Sequence, residues 1–572
     1  MKQWGQASKD IGLLGLGAVL YTLAFPPFQW TWAAWLALTP LFFVLRNKTP
    51  RVAFFAGLGF GIFWCLGVGY WVFFTIAEFF PISLPVNIPF VLMNFALFSG
   101  LPTGLVALGM SVLLRQKNRW LSAIGVPALW VSGEVLRANP WFGVSWGILG
   151  YTQYQHLVLI QIADVTSVYG ISFLIALGGY AGAELLHSSQ QLAVSSQRLE
   201  KKNQKSKIKS QKSKVQISDT GHWTLDSGRC VDLRLRTSNF GHWTLDFRTL
   251  GPALGLFTAC LIVTLIYGTI RLREYALPPD VAPLRVAMVQ GGIPTEQRWQ
   301  PAYYASTLLK YASVTSEGIG NASPDLVVWP EFAVSFYLDQ EALLRLQLGQ
   351  FAQMTNTALL LGAPRREERD GTAHFYNSAY LFSANGELAE VYDKMRLVPF
   401  AEYRPFSFLP TLLNHSDEAP ADFTAGQRAT IFSLPKSTFG LTICYEAAYP
   451  SFTRRLVQGG ARLLVNISND TWLGETTAAV EQHFAMTVLR AVENKRYLVR
   501  TATAGISSFV DPTGHPYQLS TASETVIRGE VFPLEERTIY TRYGEWFAWT
   551  CLTLSTITLT RALRKSAVLE SV

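Results

Sequence analysis

Apolar residues are spread very unevenly along this chain of 572 residues, and that unevenness constrains its fold more than any motif does. Residues 11–187 and 251–270 are almost uncharged, whereas 283–540 has the mixed composition of a water-facing domain. The chain is too long for one core and needs at least two folding units. A helix that crosses a hydrocarbon layer needs about 20 consecutive apolar residues. Runs of this kind fall at 11–27, 30–45, 52–77, 88–114, 120–136, 162–186, 251–270 and 546–560, the last being short. The pattern predicts six membrane helices within 1–187, a polar insert at 188–250, a seventh helix and arm at 251–275, and a separate domain at 283–540. An eighth helix at 546–560 and a tail at 561–572 complete the chain.

Loop charges orient these helices. Lys2 and Lys9 precede the first, Arg46, Lys48 and Arg51 follow the second, and Arg115, Lys117 and Arg119 follow the fourth. The lysine-rich insert follows the sixth, and Arg561, Arg564 and Lys565 follow the eighth. The alternate loops carry almost no Lys or Arg, Arg137 excepted. The positive-inside rule then puts both termini and the insert in the cytoplasm and the 283–540 domain on the far side. Arg271 and Arg273 run slightly against this. The first apolar run leads straight into a second with no small-residue cleavage site, so it reads as a retained helix.

The net charge of +8 comes largely from Lys201–Lys214 and the short loops; there is no basic face interleaved with aromatics, which argues against nucleic acid. QKSK recurs at 204–207 and 211–214, and GHWTLD at 221–226 and 241–246. The insert therefore reads as low-complexity and disordered, with lysines suited to anionic lipid headgroups. Glu134, Asp164 and Glu184 lie in or near membrane segments, where a structural or interfacial role is expected of them.

In 283–540 strand-like runs alternate with helical patterns, which predicts an α/β domain with catalytic groups at strand ends. The runs include LRVAMVQGG (284–292), LVVWPE (326–331), ALLLGAP (358–364), NSAYLFS (377–383), FGLTICYE (439–446) and RLLVNISND (462–470). NGE at 385–387 reads as a hairpin turn. Of the five cysteines, Cys65, Cys260 and Cys551 fall in membrane segments and Cys230 in the insert. Cys444 is alone in the polar domain, so it has no disulfide partner there. No Cys/His spacing suggests a metal, and no cofactor is expected.

Cys444, Glu331 and Lys394 each end or follow a strand-like run. A thiol in apolar surroundings needs a base to take its proton, and a carboxylate serves if burial raises its pKa. An ammonium then faces the oxyanion that forms. Glu402 and Glu446 add carboxylates on the same segments.

WPE (329–331), DK within YDKMRLVPFAEY (393–394) and CYE (444–446) resemble the three motifs of the nitrilase, or carbon–nitrogen hydrolase, superfamily, over about 284–535. Further similar segments are VQGGIPTEQRW (289–299), FYNSA (375–379), LVPFAEYRP (397–405), NISNDTWLG (466–474) and LRAVENKRYLVRTATAGIS (489–507). With membrane helices on both sides, the chain resembles the superfamily's membrane-bound, lipoprotein-acylating branch. The resemblance implies an αββα sandwich outside the cytoplasm, at the bacterial inner membrane. It implies Glu331 as general base, Lys394 stabilising the tetrahedral intermediate and Cys444 carrying the acyl group. Glu402, Tyr445 and Glu446 would support them, and Trp299, Asn377 and Trp472 would line the site. The implied donor is a membrane phospholipid and the implied acceptor a diacylglyceryl apolipoprotein, with a Cys thioester between two half-reactions. The alternative is a membrane-anchored amidase or nitrilase acting on a small soluble amide, and a ligand-binding transporter or receptor would leave the three residues unexplained. The 188–250 insert departs from the family pattern.

Overall fold

The computed structural model describes residues 2–79, 84–138, 145–213, 251–399, 401–403, 422–473 and 477–570. Five described helices are long and apolar enough to cross a membrane: Gly5–Ala24, Pro50–Val68, Asn87–Leu113, Val168–Gln191 and Pro252–Glu274. Three other predicted spans miss that standard. Ala33–Leu45 is short and divides into Ala33–Ala37 and Thr39–Leu45, Arg119–Ala138 carries Pro127 and Glu134, and Trp546–Glu570 is less apolar. All three nonetheless pack into the bundle core through Ala33, Leu41, Val126, Trp130, Ala548 and Cys551.

Three boundaries differ from the sequence expectation. The run at 52–77 is two helices, Pro50–Val68 and Trp71–Phe79, because Gly69 caps the first, its N–H on Cys65 O at 2.8 Å. The run at 162–186 is interrupted at Ser167 (φ 58°), and the long helix begins at Val168. That helix then continues to Ser213, into the stretch expected to be disordered. Residues 183–213 contain no Gly or Pro and carry many Lys, Gln and Leu, which propagate a helix already nucleated inside the bundle. Residues 214–250, Cys230 among them, lie outside the described residues.

Glu134, Asp164 and Glu184 each find hydrogen-bond or ion-pair partners in the bundle, although Glu134 Oε2 has none among the described residues. Glu134 accepts from Trp130 Nε1 (3.1 Å) and Leu149 N (2.9 Å), and Asp164 from Tyr267 OH (2.7 Å) and Arg271 Nε (2.9 Å). Glu184 pairs with Arg46.

The second half is a sandwich of two six-stranded sheets. In chain order the strands are β1 Leu284–Gly291, β2 Leu326–Val328, β3 Ala358–Arg369, β4 Thr372–Phe382, β5 Leu388–Asp393, β6 Ile431–Leu434, β7 Ser437–Ile443, β8 Leu463–Ser468, β9 Leu498–Ala502, β10 Ser507–Val510, β11 Pro516–Ser520 and β12 Glu524–Val531. One sheet has the order β12-β1-β2-β3-β4-β5 and the other β11-β10-β9-β8-β7-β6. Each has a parallel trio, β1-β2-β3 or β9-β8-β7, extended by antiparallel strands. The β4–β5 hairpin turns through Gly386 (φ 88°), in the predicted NGE segment.

Strand side chains alternate between faces, and both faces of the first sheet are buried. Val286, Met288, Val328 and Leu360 point toward the core shared with Leu441, Val465 and Val499 of the second sheet. Ala287, Val289, Val327 and Leu361 point outward under the helices Tyr304–Ile319 and Ala342–Thr355. Pro450–Gln458 and Thr477–Asn494 pack with the second sheet's strands in the large core. The helix Thr477–Asn494 also joins sandwich to bundle: Gln482 Nε2 donates to Val68 O (3.0 Å) and Pro26 O (3.3 Å), and Glu493 accepts from Ser167 Oγ (2.6 Å).

Candidate active site

Glu331 is carried by the turn that ends β2. Trp329 N still bonds Leu360 O at 2.8 Å, but Pro330 has no N–H to continue the ladder. Gly362 of β3 then donates to Pro330 O at 3.1 Å. A Cβ on Gly362 would lie 2.6 Å from Glu331 Cα, so only glycine lets the turn sit this close. The chain leaves through Phe332 at φ 51°. Lys394 follows β5, its N–H on Asn377 O at 2.8 Å. Cys444 follows β7 at φ 50°, an unusual conformation for a non-glycine residue and one that concentrates at functional turns.

These turns bring four predicted residues into one buried network. Glu331 Oε1 accepts from Asn377 Nδ2 (2.7 Å) and Lys394 Nζ (3.2 Å). Glu402 Oε1 accepts from the same two donors, each at 2.8 Å. Glu331 Oε2 accepts from Asn469 N at 2.7 Å. Burial raises the Glu331 carboxyl above its ordinary value, against the pull of Lys394. Burial opposes the charge on Lys394, yet Glu331, Glu402 and Cys444 together hold its pKa well above normal. Burial, then the Glu331 charge, push the Cys444 thiol up to about 12, while Lys394 pulls the other way. A thiol this protonated attacks nothing until its proton is removed, and among the described groups whose charge acts on it, Glu331 belongs to a carboxylate pair that shares one ammonium.

Glu446 does different work. Its carboxylate accepts from Tyr392 OH (2.8 Å), Met395 N (2.7 Å), Arg396 N (3.0 Å) and Ile443 N (2.8 Å). It therefore ties the Lys394 segment to the Cys444 turn. Burial lifts its pKa to about 7 against those donors. Tyr445 reaches into the bundle: its ring lies parallel to Trp146 with centroids 6.1 Å apart, and its OH accepts from Ser145 N at 3.2 Å. Trp299 packs edge-on against Phe332 (5.3 Å), and Phe332 lies 6.0 Å from Phe423. Trp472 contacts the bundle's Trp71, whose ring in turn lies 4.9 Å from Trp146.

Several neighbours of the site went unrecognised in the sequence. Asp470, His483 and Arg500 form a second buried cluster behind Cys444. Arg500 Nη2 donates to Asp470 Oδ2 (2.7 Å) and lies 3.2 Å from His483 Nδ1. His483 Nε2 lies 3.3 Å from Cys444 O, which also accepts from Asn466 Nδ2 at 3.3 Å. Burial and the adjacent guanidinium lower the His483 pKa, so the ring is neutral. Nδ1 of the ring stands between a donor, Arg500 Nη2, and an acceptor, Asp470 Oδ1, each at 3.2 Å, while Nε2 faces the Cys444 carbonyl. Asp470 and Arg500 stood within quoted segments without a role; His483 and Trp146 offered no local signal.

Cys444, Asp470 and His483 present ligand atoms within 4.8 Å of one another. They suit a metal poorly, because Arg500 already holds the Asp470 carboxylate at 2.7 Å and takes the place a cation would use.

The two sheets, their helices and the turns bearing Glu331, Lys394 and Cys444 define the carbon–nitrogen hydrolase class, and residues 285–533 match that family. Residues 17–181 match the apolipoprotein N-acyltransferase N-terminal domain. The chain is 32% identical to the apolipoprotein N-acyltransferase of Geobacter metallireducens over 98% of its own length and 96% of that protein's. It is 30% identical to that of Azotobacter vinelandii, covering 96% of this chain and 94% of the relative. The chain belongs to the apolipoprotein N-acyltransferase family. Among solved structures, a Nesterenkonia amidase matches with a TM-score of 0.34 and 19% identity, over 47% of this chain and 95% of the amidase. A branch 10 nitrilase-superfamily member from Saccharomyces cerevisiae matches at 0.34 and 22%, over 44% and 90%. Likeness at that level decides nothing beyond the sequence matches.

Proposed function

We propose that this protein moves a fatty acyl chain from a membrane phospholipid, through a thioester on Cys444, to the N-terminal amine of a lipid-modified apolipoprotein. The observation that carries the reading is the network in which Glu331 and Glu402 share Lys394 beside the buried Cys444. Glu331 takes the Sγ proton as sulfur bonds to the ester carbonyl carbon. Lys394 faces the oxyanion. The bond from the acyl carbon to the glycerol oxygen breaks, and the proton passes from Glu331 to the lysophospholipid alkoxide. In the second half-reaction the amine attacks the thioester carbon, the C–S bond breaks, and the amine's proton returns through Glu331 to sulfur.

The attached bundle supports this substrate class. Donor and acceptor are both held by acyl chains, and confinement to one bilayer supplies the encounter that dilute solution would not. A soluble amide would need no such bundle. The loop charges support a catalytic domain outside the cytoplasm. Mass spectrometry of lipoprotein N-termini from cells with and without this protein tests the function: free α-amines should accumulate only without it. Equal acylation in both strains contradicts it. A cysteine at Ser213 should react with an impermeant reagent only after the membrane is opened, and labelling from outside reverses the topology.

A further inference from the structure

Arg298 stands beside this site, joined to it through Asn469. A guanidinium has five N–H donors. Nη1 of Arg298 donates to Asn469 Oδ1 (3.3 Å) and Thr471 Oγ1 (3.1 Å), and Nη2 donates to Ile293 O (3.2 Å). All three acceptors are neutral, and among the described residues none takes the Nε hydrogen or the second Nη2 hydrogen. Among the described residues no carboxylate is in ion-pair contact with it. Burial pulls its pKa below the ordinary arginine value, and Tyr311 and Glu296 only partly oppose that. A partly buried guanidinium held in place by neutral groups, with donors to spare, is built to receive an anion.

Its position says which anion. Asn469 accepts from Arg298 with its side chain and donates its backbone N–H to Glu331 at 2.7 Å. One residue therefore spans the distance from the cation to the base. On the other side, Arg298 adjoins Trp299 (φ 65°), the first of three rings in contact, Trp299, Phe332 and Phe423. Cation, reacting centre and aromatic surface occur together. A glycerophospholipid has the same three parts: a phosphodiester, an ester a glycerol unit away, and acyl chains.

We propose that Arg298 binds the phosphodiester of the acyl donor and so selects phospholipids over uncharged acylglycerols. The assignment rests on the acyl-transfer reading above. Thioester formation on Cys444 is measured in detergent micelles at single turnover, with a phospholipid or with the uncharged diacylglycerol of the same acyl chains. The wild-type protein should favour the phospholipid by roughly tenfold to a hundredfold, the range of one charge-assisted contact. Arg298→Gln should collapse that ratio toward one through a rise in KM for the phospholipid, and Arg298→Lys should restore part of it. Loss of both donors in equal proportion, or a ratio that does not move, overturns the assignment. Inorganic phosphate is the control arm, since it brings the anion without the chains, and at concentrations equal to the lipid it should not slow the wild-type protein. Inhibition by phosphate that disappears in Arg298→Gln while the donor ratio holds would mark a free-phosphate site and also overturn the assignment. No adduct from either donor in the wild-type protein defeats the acyl-transfer reading itself.

Discussion

Two buried charged clusters meet at Cys444, and they are built on opposite plans. In one, Glu331 and Glu402 share the single ammonium of Lys394, with Asn377 bridging them. Two negative charges meet one positive charge, and burial raises the Glu331 pKa. In the other, Asp470 meets Arg500 one to one, with Ser468 Oγ donating at 2.7 Å. Burial alone would raise the Asp470 pKa, but Arg500 and His483 bring it down to about 2. The first cluster keeps a group with appetite for a proton next to a thiol that must lose one. The second is electrically closed, and what it offers Cys444 is the His483 and Asn466 hydrogen bonds to its carbonyl, which hold the φ 50° turn. On the acyl-transfer mechanism proposed above, the unbalanced cluster serves chemistry and the balanced one shape.

Substitutions can break that contrast. Cys444→Ser should show the largest effect, a loss of acyl transfer of roughly ten-thousandfold or more, with folding intact. The hydroxyl's far higher pKa is beyond a carboxylate base. Thermal unfolding and a transfer assay on the same sample check both halves of that expectation. Glu331→Gln should cost about a hundredfold to ten-thousandfold in thioester formation, the usual range for a general base. The base works deprotonated and its pKa is raised, so wild-type acylation should fall with acidification at a pH above the ordinary carboxylate range. A pH profile of thioester formation should show this limb in the wild-type protein and not in Glu331→Gln. Its persistence in the variant would move the base to another residue.

Arg500→Met addresses the balanced cluster and should act on stability instead. It strands the Asp470 carboxylate in the interior, at a cost of about 3–5 kcal/mol. Unfolding temperature should drop sharply, while the protein that remains folded acylates with an unaltered pH profile. An unshifted melting point with a shifted profile would mean that this cluster titrates in catalysis and that the contrast is false. The smallest effect belongs to deletion of 195–245. Loop closure depends weakly on length, so activity should stay within about twofold of the wild type. A folded but inactive deletion would connect the helix beyond the bundle to the chemistry.

Sequence reasoning reached the residues whose placement depends on where a strand stops. Glu331, Lys394 and Cys444 could be found because Pro330, the 385–387 turn and the apolar run before Cys444 are local signals. His483 could not: its contact with the Cys444 carbonyl depends on how the helix Thr477–Asn494 lies across the sheet, and no spacing along the chain encodes that. Ser145 and Trp146 touch Tyr445 from 300 residues away in a different domain, for the same reason. The lysine-rich stretch misled because Lys- and Gln-rich composition suits a helix as well as a disordered segment, and the helix Val168–Ser213 runs through it.

The central claim is that Cys444 is acylated by the donor alone, before any acceptor arrives. Wild-type protein incubated with phospholipid and then digested for mass spectrometry tests it directly. The account predicts one acyl chain on the peptide bearing Cys444, removable by hydroxylamine, with an equal amount of lysophospholipid released. An unmodified Cys444 peptide, with lysophospholipid appearing only once the apolipoprotein is added, would contradict it.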